Sequence, residues 1–221
     1  MKRSYRPYTK PITLTEYGGL QNAFDFFKDN LFDEREMPDV LITYQRKARS
    51  RGFFGADRFN VRERGFGIQG RHEIALNPDG FIGRSDEEIL STLVHEMVHL
   101  WQHLFGTPAR RGYHDREWAA KMKLLGLQPS STGKPGGKET GAHMTHYVVP
   151  DGAFQKAFQQ LSKSGWKLRL ESAIGEPNAK IAKVKDSSKT PFTCPTCGLN
   201  AWAKQDAQLI CATCSLLLQP R

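Results

Sequence analysis

Leu20, Phe24, Phe27 and Leu31 recur at helical spacing behind Thr13 and Glu16, which stand at capping-box distance, so the pattern predicts a helix from Thr13 to Leu31 with an aromatic core face. The period then changes. Asp39–Tyr44 is a short β-prone run, Phe53-Phe54 with Arg58–Val61 makes a second, and His72–Leu76 makes a third that ends at Asn77-Pro78-Asp79-Gly80. Together they predict a small, mostly antiparallel sheet. Helical spacing returns at Ser85, again with a capping-box Glu88. Ile89, Leu93, Val94, Met97, Leu100 and Leu104 belong to a broad apolar face that ends at Gly106. A further helix is expected from about Asp115 to Leu125, stopped by Gly126.

Downstream the pattern weakens. Pro129–Gly141 is rich in Gly, Ser, Thr and Lys and reads as a loop or linker. Tyr147–Val149 and Trp166–Leu170 read as strands, with a short helix over Ala153–Leu161 between them. Residues 172–190 lose all periodicity and hold Lys180, Lys183, Lys185 and Lys189. The expected organisation is an α+β domain over 1–171, with a core at about 13–126 and an extension at 127–171, then a linker over 172–190 and a small module over 191–221.

Composition narrows the class. A chain of 221 residues suffices for one sizeable core plus a small module, and 38% hydrophobic content argues against wholesale disorder. No apolar run is long enough to span a bilayer, so no membrane partner is expected. Met1-Lys2-Arg3 is basic but no apolar stretch follows, so a secretory signal is not expected and the cytoplasm, with the nucleoid in reach, is the default compartment. The net charge of +9 favours polyanionic partners, nucleic acid first.

The most specific chemistry lies on the second helix, in His95-Glu96-Met97-Val98-His99. Residues four apart share a helix face, so both imidazoles can ligate one ion, while Glu96 stands beside the ion, placed to take a proton from water. Two histidines and a glutamate on an apolar helix would be costly without such a partner. A catalytic zinc takes three protein ligands and keeps one position open. His103 continues the series, but no glycine separates it from His99, so it falls a turn too far along and reads as a supporting or surface residue. The third ligand is open among His114, Glu117, His143 and His146, with His114 favoured by ligand type because its glycine-containing loop can fold back onto the metal.

All four cysteines fall in the last thirty residues, as Cys194-x-x-Cys197 and Cys211-x-x-Cys214 separated by 13 residues. Two such knuckles complete a four-thiolate structural zinc site, closed to catalysis. Trp202, Lys204 and Lys189 are candidate nucleic-acid contacts there, beside the plainer reading of a structural or protein-binding cap. A second basic cluster spans 46–64, where Arg46, Lys47, Arg49, Arg51, Arg58, Arg62 and Arg64 outnumber Asp57 and Glu63, with Phe53, Phe54 and Phe59 interleaved. Arginines grip phosphates and aromatics stack on bases, so these positions are candidate nucleic-acid contacts. The plainer reading is a solvated hairpin face with its aromatics turned to the core.

Glu73-Ile74-Ala75-Leu76-Asn77-Pro78, Leu93-Val94-His95-Glu96-Met97-Val98-His99-Leu100-Trp101-Gln102, Gly106-Thr107-Pro108, Arg111-Gly112-Tyr113-His114 and Glu117-Trp118 together resemble the SprT family, bacterial relatives of the Spartan DNA–protein crosslink proteases. The likeness covers about residues 39–126 and continues through Ser130-Ser131-Thr132-Gly133 and Thr145-His146-Tyr147, in the manner of one bacterial branch; relatives also carry a C-terminal zinc ribbon. The resemblance implies a compact zincin-like core, His95, His99 and His114 as ligands of a catalytic zinc, Glu96 as general base, and protein substrates associated with DNA, single-stranded or junction-containing. In that scheme zinc polarises the water and the scissile carbonyl, Tyr113 or Tyr147 stands by for the oxyanion, and the strand Glu73–Leu76 pairs with an extended peptide. Two other readings compete: a nucleic-acid-binding accessory protein whose metal site is structural or weakly active, and a metallohydrolase of small amides.

Overall fold

A computed structural model describes residues 11–32, 37–60, 70–173 and 190–220. The chain divides into two compact units, Met1–Gly175 and Glu176–Arg221. Arg62, Arg64 and Val61, and the lysines expected in the linker, lie outside the described residues.

Helix α1 (Ile12–Leu31) opens the first unit. It starts one residue earlier than expected and has no side-chain cap, with Pro11 at the N-cap position. Glu16 is withdrawn from the anticipated box because it is buried and accepts from the Tyr44 hydroxyl at 2.6 Å. Leu20, Phe24 and Phe27 are fully buried, and the Phe27 ring meets that of Phe154 at 5.5 Å.

Strands β1 (Leu41–Tyr44), β2 (Gly52–Asn60) and β3 (Gly70–Leu76) form one sheet in the order β1-β3-β2. β2 runs antiparallel to β3, but β1 runs parallel to it, with Ile42 opposite Ile74. The sheet is therefore mixed: β3 inserts between the two strands that precede it. The centre of the sheet is buried on both faces, as Ile74, Ala75 and Leu76 show.

Helix α2 (Asp86–Phe105) lies against this sheet. Its capping box is complete: the Ser85 hydroxyl accepts from the Glu88 amide and the Glu88 carboxylate accepts from the Ser85 amide. Gly106 ends it in an extended conformation, not the left-handed cap that a terminal glycine usually supplies. Glycine is needed there for space, since a Cβ at Gly106 would stand 2.5 Å from a Glu117 carboxylate oxygen.

Strand β4 (Tyr113–His114) leads into helix α3 (Arg116–Leu124), which Asp115 caps by accepting from the Trp118 amide. Gly126 follows at φ +78°, packed so tightly on Gly152 that no side chain fits. Next come β5 (Leu127–Ser130), β6 (Gly141–Ala142), β7 (Thr145–Val148) and α4 (Ala153–Lys163). The expected loop over 129–141 gives up its first two residues to β5, which pairs with β7, and its last to β6, which pairs with β4. The turn between is laced by Ser130, whose hydroxyl donates to the Lys134 carbonyl and accepts from the Thr132 and Lys134 amides. Trp166–Leu170 is not a strand. Trp166 donates its indole N–H to the Gly19 carbonyl and the Leu168 amide donates to Asp86, so its alternating apolar side chains reflect docking on the core without strand pairing.

The second unit carries a three-stranded sheet of β8 (Thr190–Thr193), β9 (Asn200–Ala203) and β12 (Gln219–Pro220) in the order β12-β8-β9. A small pair, β10 (Ile210–Cys211) and β11 (Leu216–Leu217), completes it. Its buried cluster is Phe192, Cys194, Cys211 and Leu218. Among the described residues no helix is long and apolar enough to cross a membrane.

Candidate metal centre

Helical spacing puts His95 and His99 on one face of α2, and the β4–β6 pairing brings His114 to meet them. Each of the three offers a nitrogen, and these atoms all lie within 4.8 Å of one another. Nε2 of His95 and Nε2 of His114 stand 3.3 Å apart. Two ligands held at about 2.0–2.1 Å in a tetrahedron are separated by about that distance.

The hydrogen bonds behind the rings leave those nitrogens available. Nδ1 of His114 is 3.2 Å from the Gly141 carbonyl, which accepts only a proton, so Nε2 keeps its lone pair. Nδ1 of His95 is 3.2 Å from Nδ1 of His146, whose Nε2 is 2.8 Å from the Ser91 hydroxyl, and that hydroxyl donates to the Glu88 carbonyl. A consistent proton assignment runs one way along this chain: His95 Nδ1–H to His146, His146 Nε2–H to Ser91, and Ser91 to Glu88. Burial pushes His95 well below the ordinary imidazole range, helped by the neighbouring histidines, and pushes His99 to about 3. His114 is lowered by the same cause. All three are therefore neutral at neutral pH, the form in which an imidazole can ligate a cation.

Trp118 forms the floor. It is fully buried, and its ring centroid lies 4.8 Å from that of His95, 5.5 Å from His99 and 4.4 Å from His114. Its contact with all three rings could not be read from spacing. Glu96 is buried beside them, with burial pushing its carboxyl up to about 8 against the Phe54 amide, which donates to it, and the Lys47 charge. Gly52 makes this approach feasible: a Cβ there would meet the Ala75 carbonyl at 2.9 Å and Glu96 Oε1 at 3.1 Å.

The other candidates for third ligand are elsewhere. Glu117 accepts from Gln102 and from the Thr107 amide, both at 2.8 Å. His143 is exposed at φ +55°. His146 lies behind His95 and does not share the convergent nitrogens. Tyr113 sits under the Arg110 guanidinium, and Tyr147 pairs with Gln128 in the β5–β7 ladder. β3 has a partner on each side, so it has no open edge for an extended peptide; the edge beside α2 belongs to β2. His103 is gathered with His72 and Asp57, away from the three convergent rings.

In the second unit the four cysteine sulfurs lie within 4.8 Å of one another, with Cys197 and Cys211 at 3.6 Å. Thiolates at about 2.3 Å from a tetrahedral zinc stand about 3.8 Å apart. Both knuckles turn alike, through Gly198 at φ +71° and Ser215 at φ +53°. Amides of Cys197 and Thr196 hold the Cys194 thiol down to about 7. Both donor sets are compatible with zinc.

The basic residues of the β2 region divide. Arg46 pairs with Asp79 at 2.9 Å and Arg58 with Glu73 at 3.5 Å, while exposed Lys47, Arg49 and Arg51 have no ion pair among the described residues. Lys47 and Arg58 both lie over the Phe53 ring, and Phe54 packs inward on the core.

The sequence model of the SprT-like family matches residues 20–140, more than half of the chain. A curated relative, named "Uncharacterized protein in mucB 3'region" of Salmonella typhimurium, is 44% identical over 52 residues, which are 24% of this chain and 69% of that protein.

Proposed function

The chain belongs to the SprT-like family, and from that premise we propose that it is a zinc-dependent endopeptidase acting on DNA-associated proteins. The observation that carries this reading is the convergence of His95, His99 and His114 with Glu96 buried alongside. Zinc held by the three histidines supplies a Lewis acid that polarises the scissile carbonyl and makes water more acidic. Glu96 takes the proton of the attacking water on a carboxylate oxygen and delivers it to the leaving amine nitrogen. The Phe54 amide orients the carboxylate, and Trp118 excludes water from the inner side of the rings. An extended substrate pairs along the outer edge of β2, next to α2.

The DNA part of the reading is supported by the net charge of +9 and by Lys47, Arg49 and Arg51 on the flank of β2. A ribbon zinc held by Cys194, Cys197, Cys211 and Cys214 is structural in this scheme.

The test is cleavage of a DNA-binding protein by zinc-loaded chain, with and without single-stranded DNA, beside Glu96→Gln. The expected outcome is cleavage that rises with DNA and falls by about 10²–10⁴-fold in Glu96→Gln. Glu96-dependent cleavage indifferent to DNA would leave a general peptidase. DNA binding without any cleavage would favour an accessory nucleic-acid-binding protein.

A further inference from the structure

A second group of ligand-type side chains lies farther along the same helix. Asp57 on β2, His72 on β3 and His103 on α2 each offer one ligand atom, all within 4.8 Å of one another. His103 is one turn beyond His99. His72 is almost buried, His103 half-buried and Asp57 exposed, so the group opens to solvent on the Asp57 side.

Local structure departs from regularity to make this group. The β2–β3 register shifts between Gly55 and Phe59, and Asp57 lies in that irregular stretch at φ +47°. A non-glycine residue in the left-handed region is strained, and bulges beside functional sites commonly re-aim a side chain. Here the turn brings Asp57 Oδ1 to 3.6 Å from His72 Nδ1. The Asp57 amide donates to the same Nδ1 at 3.1 Å, so this nitrogen carries a lone pair and no proton. The His72 lone pair thus lies beside the Asp57 carboxylate and is taken up by the Asp57 amide. The His72 and His103 rings meet edge to face at 5.1 Å, and the Phe54 ring closes the back at 5.8 and 5.7 Å.

We propose that Asp57, His72 and His103 form a second divalent transition-metal site, which ties the edge strand β2 to the helix that carries His95 and His99. Two imidazoles and one carboxylate suit Zn2+, Co2+ or Ni2+ better than Mg2+ or Ca2+, which take oxygen ligands. The third side is open to water. Cation entry replaces the Asp57 amide on His72 Nδ1, and an amide in this exposed stretch turns to water. The ion would fix β2 at its irregular stretch, a few residues from Phe54, whose amide holds Glu96. The inference stands apart from the peptidase reading, because it concerns metal retention and not cleavage.

The experiment counts zinc per chain by elemental mass spectrometry in tag-free, full-length protein equilibrated with buffered Zn2+. Wild type is compared with Asp57→Asn, His103→Asn, His99→Asn and the Asp57→Asn/His99→Asn double variant. Asp57 is exposed, so its asparagine variant keeps the fold, and it decides the matter if His103→Asn does not fold. The expected result is one equivalent fewer than wild type in Asp57→Asn and in folded His103→Asn, with the loss additive to that of His99→Asn. An unchanged count in Asp57→Asn would overturn the site and leave the group as a hydrogen-bonded cluster. A loss shared with His99→Asn, not additive to it, would overturn it as well. Failure of the peptidase reading shows instead in the Glu96→Gln comparison and leaves these counts as they are.

Discussion

At the scale of single residues, His146 stands directly behind His95. Its unprotonated Nδ1 fixes which nitrogen of His95 carries the proton, and its other nitrogen is anchored on Ser91. Partners that orient a ligating histidine typically contribute about 10–100-fold in metal affinity. His146→Ala is therefore expected to weaken zinc binding in the first unit by about that factor, read by competition with a chromophoric chelator, while His146→Asn, which keeps an acceptor, restores part of it. Wild-type affinity in His146→Ala would remove the role. The helix motif itself was legible because it needs residues at fixed offsets on one helix face. His146 was visible in the sequence only as one of four possible ligands. Its position behind His95 depends on a strand pairing 51 residues away, and no local pattern encodes that. His103 shows the same limit: along the helix it is one turn too far, and only the approach of β2 and β3 supplies its partners.

At the scale of elements, the close approach of β2 to α2 is what sets Glu96. Gly52 permits it, since an added Cβ would press on the Ala75 carbonyl, on Glu96 and on the Thr92 methyl at 3.2 Å or less. Gly52→Ala is expected to destabilise the first unit by about 1–3 kcal/mol, the usual cost of overpacking, seen as a lower melting temperature. The carboxylate would shift too, so cleavage should fall by more than the loss of folded protein explains. A variant with unchanged melting and unchanged cleavage would show that β2 yields freely. The helices and the three runs of the sheet were legible from periodicity, and the second helix from its capping box as well. The strand order was not, because alternation tells which face is buried and says nothing of which strand lies beside which. That is why β3 read as open to a peptide, although β1 and β2 both pair with it. Glu16 and Trp166 taught the same lesson: each was read by spacing and is used instead by a distant partner, Tyr44 and Gly19.

At the scale of the whole molecule, the two units differ in what holds them. The first has a continuous core running from Leu20 and Phe24 through Leu93 and Met97 to Phe154 and Leu161. Among the described residues the second buries Phe192, Leu218 and two of its own cysteines. So small a cluster does not offset the conformational entropy of ordering its strands, and a metal on the four cysteines, if bound as we propose, would supply the difference. The paired cysteine spacing made this module legible at once, because the chemistry of its ligands is written in the chain. Cys211→Ser removes a buried ligand and should unfold the second unit alone. Amide exchange should then become rapid across 190–220, while the melting transition of the first unit stays within about a degree of wild type, since the three convergent histidines all lie in the first unit. Glu96-dependent cleavage of a protein substrate without DNA should persist in this variant. If DNA stimulation were lost with it, the ribbon would be the part that senses nucleic acid. If stimulation survived, that task would fall to the basic flank of β2, which holds Lys47, Arg49 and Arg51 and from which Lys47 acts on Glu96.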